Sequence, residues 1–99
     1  MAPYILTNKA VEDLSTIWDY TFEVWLETQA DKYYYMLLDY CQDIADNKIS
    51  GKHYAEIMEE IFGIRAGQHI IFYRRMNNNR IEVARILHSR IDLKNRLQE

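Results

Sequence analysis

The chain has few of the residues on which several common architectures depend, since its 99 residues include one cysteine, one proline and three glycines. A single cysteine, Cys41, cannot form an internal disulfide and is typical of a reducing compartment. No apolar run approaches the ~20 residues that cross a bilayer, and the start lacks the basic and apolar regions of a signal peptide. We therefore expect a cytoplasmic protein with one domain over residues 1–99.

Motifs for cofactor and metal chemistry are also missing. The sequence has no phosphate-binding glycine loop, no nucleotide-binding glycine fingerprint and no nucleophile elbow. Its three histidines, His53, His69 and His88, have no metal-ligand spacing with one another or with Cys41. We expect no cofactor and no metal site.

The net charge of −3 conceals an asymmetry along the chain. Residues 1–60 carry four basic and twelve acidic side chains, a net −8, whereas residues 61–99 carry eight and three, a net +5. The stretch GQHIIFYRRMNNNRIEVARILH and the residues just beyond it contain Arg74, Arg75, Arg80, Arg85 and Arg90. Either the acidic part neutralises the basic part within one fold, or the basic part forms a surface for a negatively charged partner.

Apolar spacing predicts two helices in the first half of the chain. A β-prone run over 4–7 precedes the first helix, and Thr7 or Asn8 can cap it, because a short side-chain oxygen accepts a hydrogen bond from a first-turn N–H. The stripe of this helix contains Val11, Leu14, Ile17, Trp18, Phe22 and Trp25. A second helix is expected to follow a Thr28 cap and to end at 47–51. Its stripe contains Ala30, Tyr33 or Tyr34, Leu37, Cys41 and Ile44.

The second half is rich in β-branched and aromatic residues. Strands are predicted over 58–64, 69–76 and 80–87, and the run DLKNRL at 92–97 can add a short helix. Three asparagines at 77–79 indicate a hairpin turn, because asparagine tolerates positive φ. The order βααβββ predicts an α+β fold, in which an antiparallel helical hairpin packs on a mainly antiparallel β-sheet that includes the N-terminal strand.

The ordered motifs of the chain resemble those of the RelE/ParE superfamily of bacterial toxins, and within it the ParE branch. The start YILTNKAVEDLSTIWDYT is similar to the opening strand and helix of that family. Further landmarks follow in the same order, namely Glu56 with Ile57, then GQHIIFYRR, then VARILHSRID. The resemblance covers nearly the whole chain.

The sequence departs from the ParE pattern in the second strand. ParE relatives often carry a Gly-aromatic-Arg step there, and the corresponding positions are Glu60, Ile61 and Phe62. An arginine is therefore missing, and Arg65, three residues further on, is a candidate substitute. A toxin-like scaffold without activity is accordingly one alternative for the function.

The resemblance implies the toxin of a type II toxin-antitoxin module, held inactive by a cognate ParD-like antitoxin. ParE proteins act on DNA gyrase and stabilise its cleaved DNA complex, whereas RelE proteins cut messenger RNA in the ribosome. We expect a ParE-like gyrase poison that acts by binding, with a RelE-like ribosome-dependent endoribonuclease as the alternative. Apolar residues on both helices and on both sheet faces exceed what one small domain can cover, so we expect an antitoxin segment to cover the remainder.

Candidate site residues lie in the basic part of the chain. RelE-type cleavage needs basic groups around a phosphate and a proton-transfer group, for which Arg65, Arg85 and His88 are candidates. In a regular last strand, however, Arg85 and His88 point to opposite faces, which disfavours a compact nuclease site. Arg74 or Arg85 can instead pair with the acidic helices. The candidates for partner and target binding are Arg74, Arg75, Arg80, Arg90, Lys94 and Arg96.

Overall fold

The computed structural model describes residues 2–90 and Leu97. Its elements are β1 (Tyr4–Leu6), α1 (Asn8–Val24), α2 (Glu27–Ala45), β2 (Lys52–His53), β3 (Phe62–Ala66), β4 (His69–Arg75) and β5 (Ile81–His88). The strands form one sheet in the order β1-β5-β4-β3-β2, in which β1 and β5 are parallel and the other neighbouring pairs are antiparallel. The predicted α+β fold, a helical hairpin on a mainly antiparallel sheet, is confirmed.

The start of α1 follows the prediction. Thr7 Oγ1 accepts a hydrogen bond from the N–H of Ala10 at 3.1 Å, which satisfies one of the first-turn donors. The same hydroxyl donates to the carbonyl oxygen of Ala84 at 2.7 Å, and the N–H of Thr7 donates to the carbonyl of Val83 at 3.1 Å. Thr7 therefore caps α1 and also joins the start of the chain to β5.

The start of α2 differs from the prediction, because Thr28 is not its cap. The helix begins at Glu27, and Leu26 occupies the cap position without a side-chain hydrogen bond. Helical hydrogen bonds continue in both helices up to this connection. The N–H of Trp25 donates to the carbonyl oxygen of Thr21 at 2.9 Å, and the carbonyl oxygen of Leu26 accepts from the N–H of Ala30 at 3.0 Å. The connection between the helices is too short to leave Thr28 outside α2.

The segment before β3 also differs from the prediction of a strand over 58–64. The N–H groups of Ile57 and Met58 donate to the carbonyl of Tyr54 at 2.9 and 3.1 Å, which forms a turn instead. β3 begins only at Phe62, and the two-residue strand β2, which was not predicted, pairs with its start. The pattern of apolar residues over 57–64 thus describes a turn followed by a strand rather than one strand.

The turn between β3 and β4 depends on Gly67. It has φ +62°, and a Cβ at this position would lie 2.8 Å from the hydroxyl oxygen of Tyr33. A residue with a side chain would therefore meet both backbone strain and a clash. At the other end of β4, Asn79 has φ 63°, which confirms the predicted asparagine turn.

The sheet is buried on both faces. The core on the helix side contains Leu14, Ile17, Leu37, Cys41, Ile44, Ile71, Tyr73, Ile81, Val83 and Ile86. The core on the opposite face contains Ile61, Ile70, Phe72, Ala84, Leu87 and Leu97, and Tyr54, Ile57 and Met58 pack against it. The chain therefore covers part of the second face itself. The helix predicted over 92–97 lies outside the described residues except for Leu97.

A β-bulge interrupts β5. Val83 and Arg85 pair with consecutive residues of β4, so that Ala84 is an extra residue between them. As a result Val83 and Ile86 both belong to the helix-side core, although they are three residues apart. The bulge breaks the two-residue alternation of side chains just before the end of the strand.

Candidate functional site

A groove of about 740 Å³ lies between the second half of α1 and the end of the β4–β5 pair. The wall formed by α1 includes Ile17, Tyr20, Thr21, Val24 and Trp25. The wall formed by the sheet includes His69, Arg85, Ile86, Leu87 and His88, with Arg90 just beyond β5. One wall is thus largely apolar, and the other carries imidazole and guanidinium groups.

The apolar wall is exposed to solvent. α1 buries only Ala10, Leu14 and Ile17, and its last turns carry Tyr20, Val24 and Trp25, whose exposed fractions are 67%, 52% and 66%. Exposed side chains also include Val11, Phe22 and Leu26. The prediction that Val11, Phe22 and Trp25 belong to a buried stripe is therefore wrong. The spacing of these residues shows only that they share one face of the helix. That face is buried only where another helix or strand packs against it.

Two histidines meet on the polar wall. His69 and His88 are paired across β4 and β5, and their ring centroids lie 5.3 Å apart in an edge-to-face arrangement. The hydroxyl oxygen of Tyr33, on α2, lies 2.6 Å from His69 Nδ1 and accepts a hydrogen bond from the N–H of Gln68 at 2.9 Å. His88 Nδ1 accepts a hydrogen bond from the N–H of Arg90 at 3.1 Å.

The hydrogen bonds indicate the tautomer of each ring in its neutral form. The hydroxyl of Tyr33 lies 2.6 Å from His69 Nδ1 and 3.5 Å from the carbonyl oxygen of Ala66, and we assign its proton to the shorter contact, which places the proton of neutral His69 on Nε2. His88 Nδ1 is likewise an acceptor, which places the proton of neutral His88 on Nε2 as well. Each ring therefore offers an N–H donor at Nε2 rather than a free lone pair.

The protonation of this cluster follows from its burial. The pKa of His69 is lowered from 6.5 to about 4, mainly by burial and also by the charge of His88, while Asp13 opposes the shift to a smaller extent. Because that pKa lies well below 7, His69 is neutral at neutral pH. Burial is also the main reason that the pKa of Tyr33 is raised, and its hydroxyl remains a donor.

Asp13 of α1 holds Arg85 in the groove. Arg85 Nε and Nη2 donate to the two carboxylate oxygens of Asp13 at 2.9 and 3.1 Å, and the N–H of Ile86 donates to Asp13 Oδ2 at 2.9 Å. An acidic helix thus neutralises Arg85, as one of the alternatives from the sequence proposed. Arg85 and His88 line the same groove, so the prediction that they point to opposite faces is wrong. It assumed a regular strand, and the bulge at Ala84 removes that regularity.

The other predicted arginines lie elsewhere. Arg74 Nε is 3.0 Å from Glu82 Oε1, and Arg74 Nη1 is 3.5 Å from Glu60 Oε1, so its partners are in β5 and a loop rather than in the helices. Arg75, next along β4, donates to the side chain of Asn47 at the end of α2. The alternation of β4 places Arg74 and Arg75 on opposite faces, as predicted.

Three further candidates are placed as follows. Arg65 is exposed, and its Nε donates to the carbonyl oxygen of Gly67 at 3.1 Å. Arg80 is exposed at the end of the asparagine turn. Lys94 and Arg96 lie outside the described residues. Among the predicted partner-binding residues that the structure describes, Arg90 alone lines the groove.

The positions that depart from the ParE pattern have structural contacts here. Ile61 is fully buried in the opposite-face core, and Phe62 stacks on Tyr73 with ring centroids 5.9 Å apart. Glu60 is exposed and pairs with Arg74. A guanidinium group is therefore present next to position 60, although β4 supplies it rather than β3.

Sequence reasoning did not predict the cluster of Tyr33, His69 and His88. Counting backwards and forwards from the asparagine turn pairs position 69 with position 87, and only the bulge at Ala84 makes His88 the partner of His69. The contribution of Tyr33 could not be inferred in this way, since it depends on how α2 packs against the sheet. Among residues 2–90 and 97, no group of three or more His, Cys, Asp or Glu side chains could hold a metal ion.

Comparisons with known proteins agree with this fold. A family model described as "ParE toxin of type II toxin-antitoxin system, parDE" matches residues 4–93. The chain is 34% identical over 90 residues to Toxin ParE1 of Mycobacterium tuberculosis, covering 91% of this chain and 92% of that protein. It is 32% identical over 88 residues to Toxin ParE1 of Caulobacter vibrioides, covering 89% and 90%.

A solved structure extends the comparison to the fold. A chain from "Chromosomal ParDE TA system from P. aeruginosa" superimposes with a TM-score of 0.75 at 17% identity, covering 89% of this chain and 96% of that one. The helical hairpin on its mixed sheet is thus a fold found in toxin-antitoxin systems. The chain belongs to the ParE toxin family of type II systems. None of the helices described over residues 2–90 is long and apolar enough to cross a membrane.

Proposed function

We propose that this ParE-family toxin arrests growth by binding DNA gyrase and stabilising its cleaved DNA complex. The proposed functional unit is one domain of residues 1–99 acting in the cytoplasm. The observation that most favours a binding toxin over a nuclease is that contacts within the fold occupy the Nδ1 atoms of both His69 and His88. A general base needs a free lone pair facing the substrate, whereas each neutral ring offers an N–H at Nε2.

We also propose that a cognate ParD-like antitoxin neutralises the toxin. The last turns of α1 and the residue after them expose Tyr20, Val24, Trp25 and Leu26 to solvent. A group of large apolar side chains exposed together is typical of a surface that a partner covers. The structural relative is part of a ParDE toxin-antitoxin system, which is consistent with a partner of this kind.

The second surface in this proposal is a basic rim, formed by the exposed residues Arg75, Arg80 and Arg90. Lys94 and Arg96 are proposed members that lie outside the described residues. The rim would first attract the acidic antitoxin and, in the free toxin, the gyrase-DNA complex, because both are negatively charged. Arg74 is less suited to this role, since Glu82 and Glu60 already partner it.

The test combines a cellular and a purified assay. After induction of the toxin, DNA-damage signalling should precede translation arrest, and purified toxin should increase the cleaved DNA formed by gyrase. Adding the antitoxin encoded beside the toxin gene should abolish both effects. If translation stops first and messenger RNA is cut only on ribosomes, the RelE-like alternative replaces this proposal. If folded toxin gives neither effect, the chain is an inactive scaffold.

A further inference from the structure

We infer that His69, His88 and Arg90 together anchor one carboxylate side chain of the antitoxin, while its neighbouring apolar residues lie against Val24 and Trp25 across the groove. The inference rests on the proposed function, because it specifies how the proposed partner is recognised. Arg90 is also a member of the proposed basic rim, whereas His69 and His88 are not.

The residues of the anchor lie at one end of the groove, at the end of the β4–β5 pair. The Nδ1 atoms of both rings are already engaged, so the Nε2–H groups are the donors left for a ligand. With ring centroids 5.3 Å apart, His69 and His88 are close enough for one carboxylate to accept a hydrogen bond from each ring. A carboxylate fits because it only accepts hydrogen bonds, and bonds to a charged acceptor are the stronger ones.

The charge of the groove also favours an anionic side chain. Among the described residues, the one carboxylate that lines the groove belongs to Asp13, and Arg85 neutralises it. Arg90 adds a full positive charge to this lining, while His69 is neutral at pH 7 because its pKa is about 4. A bound carboxylate would therefore meet the N–H donors of the two rings and one guanidinium.

The opposite wall identifies the occupant as a protein segment. Tyr20, Val24 and Trp25 are each more than half exposed, so a ligand that fills the groove must carry apolar side chains as well as its acid. A nucleic acid would instead need several cations along the groove, and Arg90 supplies one. Leu97, the last described residue, packs in the opposite-face core and is not the occupant. An amphipathic antitoxin segment has the required combination.

The experiment compares two substitutions of one histidine. His88→Phe keeps a ring but removes the donor, whereas His88→Gln keeps a side-chain N–H near the position of Nε2. His53→Phe, the same change at an exposed histidine outside the groove, is the matched control. The dissociation constant for the purified product of the adjacent antitoxin gene is measured for each, with melting temperatures to confirm folding. His88→Phe should weaken binding roughly tenfold or more, and the other two variants by less than about threefold.

A double-mutant cycle then locates the carboxylate. Each Asp or Glu of the antitoxin is replaced in turn by Asn or Gln and measured against both wild-type and His88→Phe toxin. One of these substitutions should weaken binding to the wild type but have little further effect on the variant. If wild-type binding is tight and no acidic residue couples to His88, the anchor is refuted and the antitoxin partner stands. If the wild-type toxin binds no antitoxin, the proposed neutralisation fails and the anchor fails with it.

Discussion

Replacing Asp13 by Ala should strongly destabilise the fold, because it removes the carboxylate that binds a nearly buried arginine. The side chains of Asp13 and Arg85 are 14% and 12% exposed. The carboxylate accepts two hydrogen bonds from Arg85 and one from the N–H of Ile86. Removing one member of a buried ion pair costs roughly 3–5 kcal/mol of folding stability. Because both side chains keep some contact with solvent, we expect a loss of about 3 kcal/mol, at the lower end of this range.

The loss is measurable by thermal and urea unfolding followed by circular dichroism at pH 7. In a domain of this size each kcal/mol corresponds to ~4–8 °C, so Asp13→Ala should lower the melting temperature by roughly 12–24 °C. Asp13→Asn should fall in between, since it keeps the shape and one acceptor oxygen but removes the charge. Asp19→Ala, an exposed carboxylate on the same helix, is the control and should change stability by less than ~0.5 kcal/mol.

Replacing both residues of the pair should be the milder change. The double substitution Asp13→Leu with Arg85→Met removes both charges together and should be less destabilising than Asp13→Ala alone. A loss below about 1 kcal/mol for Asp13→Ala would show that this pair contributes little to joining α1 and β5. A double variant as unstable as the sum of the single changes would show that the two side chains do not act as a pair.

Three further predictions concern binding and pH. Trp25→Ser should weaken antitoxin binding by roughly tenfold, because it removes a large apolar side chain from the proposed interface. The melting temperature should be unchanged, since the ring is 66% exposed in the free toxin. An unchanged dissociation constant would show that the α1 wall is not part of the interface. Arg75→Glu and Arg80→Glu should lower both antitoxin affinity and toxicity while the fold is retained, and fully toxic variants would contradict the role of the rim. The pKa of His69 is about 4 in the folded protein against 6.5 in the unfolded chain, so the unfolded chain binds more protons between these values. The free energy of unfolding should therefore fall as the pH drops from about 6.5 to 4. His69→Asn should make the urea midpoint depend less on pH over this range.

The parts of the fold that could be predicted from sequence are those fixed by neighbouring residues. Thr7 caps α1 through a hydroxyl three residues from its donor, and Asn79 adopts positive φ within the predicted turn. The alternation of β4 placed Ile71 and Phe72 on opposite faces, where the two cores confirm them. Each of these features depends on a few residues in sequence, so the pattern contains the required information.

The features that were missed depend on contacts between distant segments. The bulge at Ala84 changes which side chains share a face, and it is visible only when β5 is paired with β4. The helical face that includes Phe22 and Trp25 was expected to be buried, but the described part of the chain provides no element to cover it. Both errors affected the candidate site, because the bulge turns Ile86, and with it His88, to the helix side, where the exposed end of α1 borders the groove.

The pairing of β1 with β5 has a consequence for how the toxin is made. Thr7 and Ala84, which are joined by a hydrogen bond, are 77 residues apart, and β5 lies between β1 and β4 in the sheet. During synthesis from the N-terminus, β1 therefore has no strand to pair with until β5 has been made. A nascent or prematurely terminated chain that lacks β5 cannot close the groove or tie α1 to the sheet through Asp13. The toxin fold can thus form only after the residues up to His88 have been synthesised.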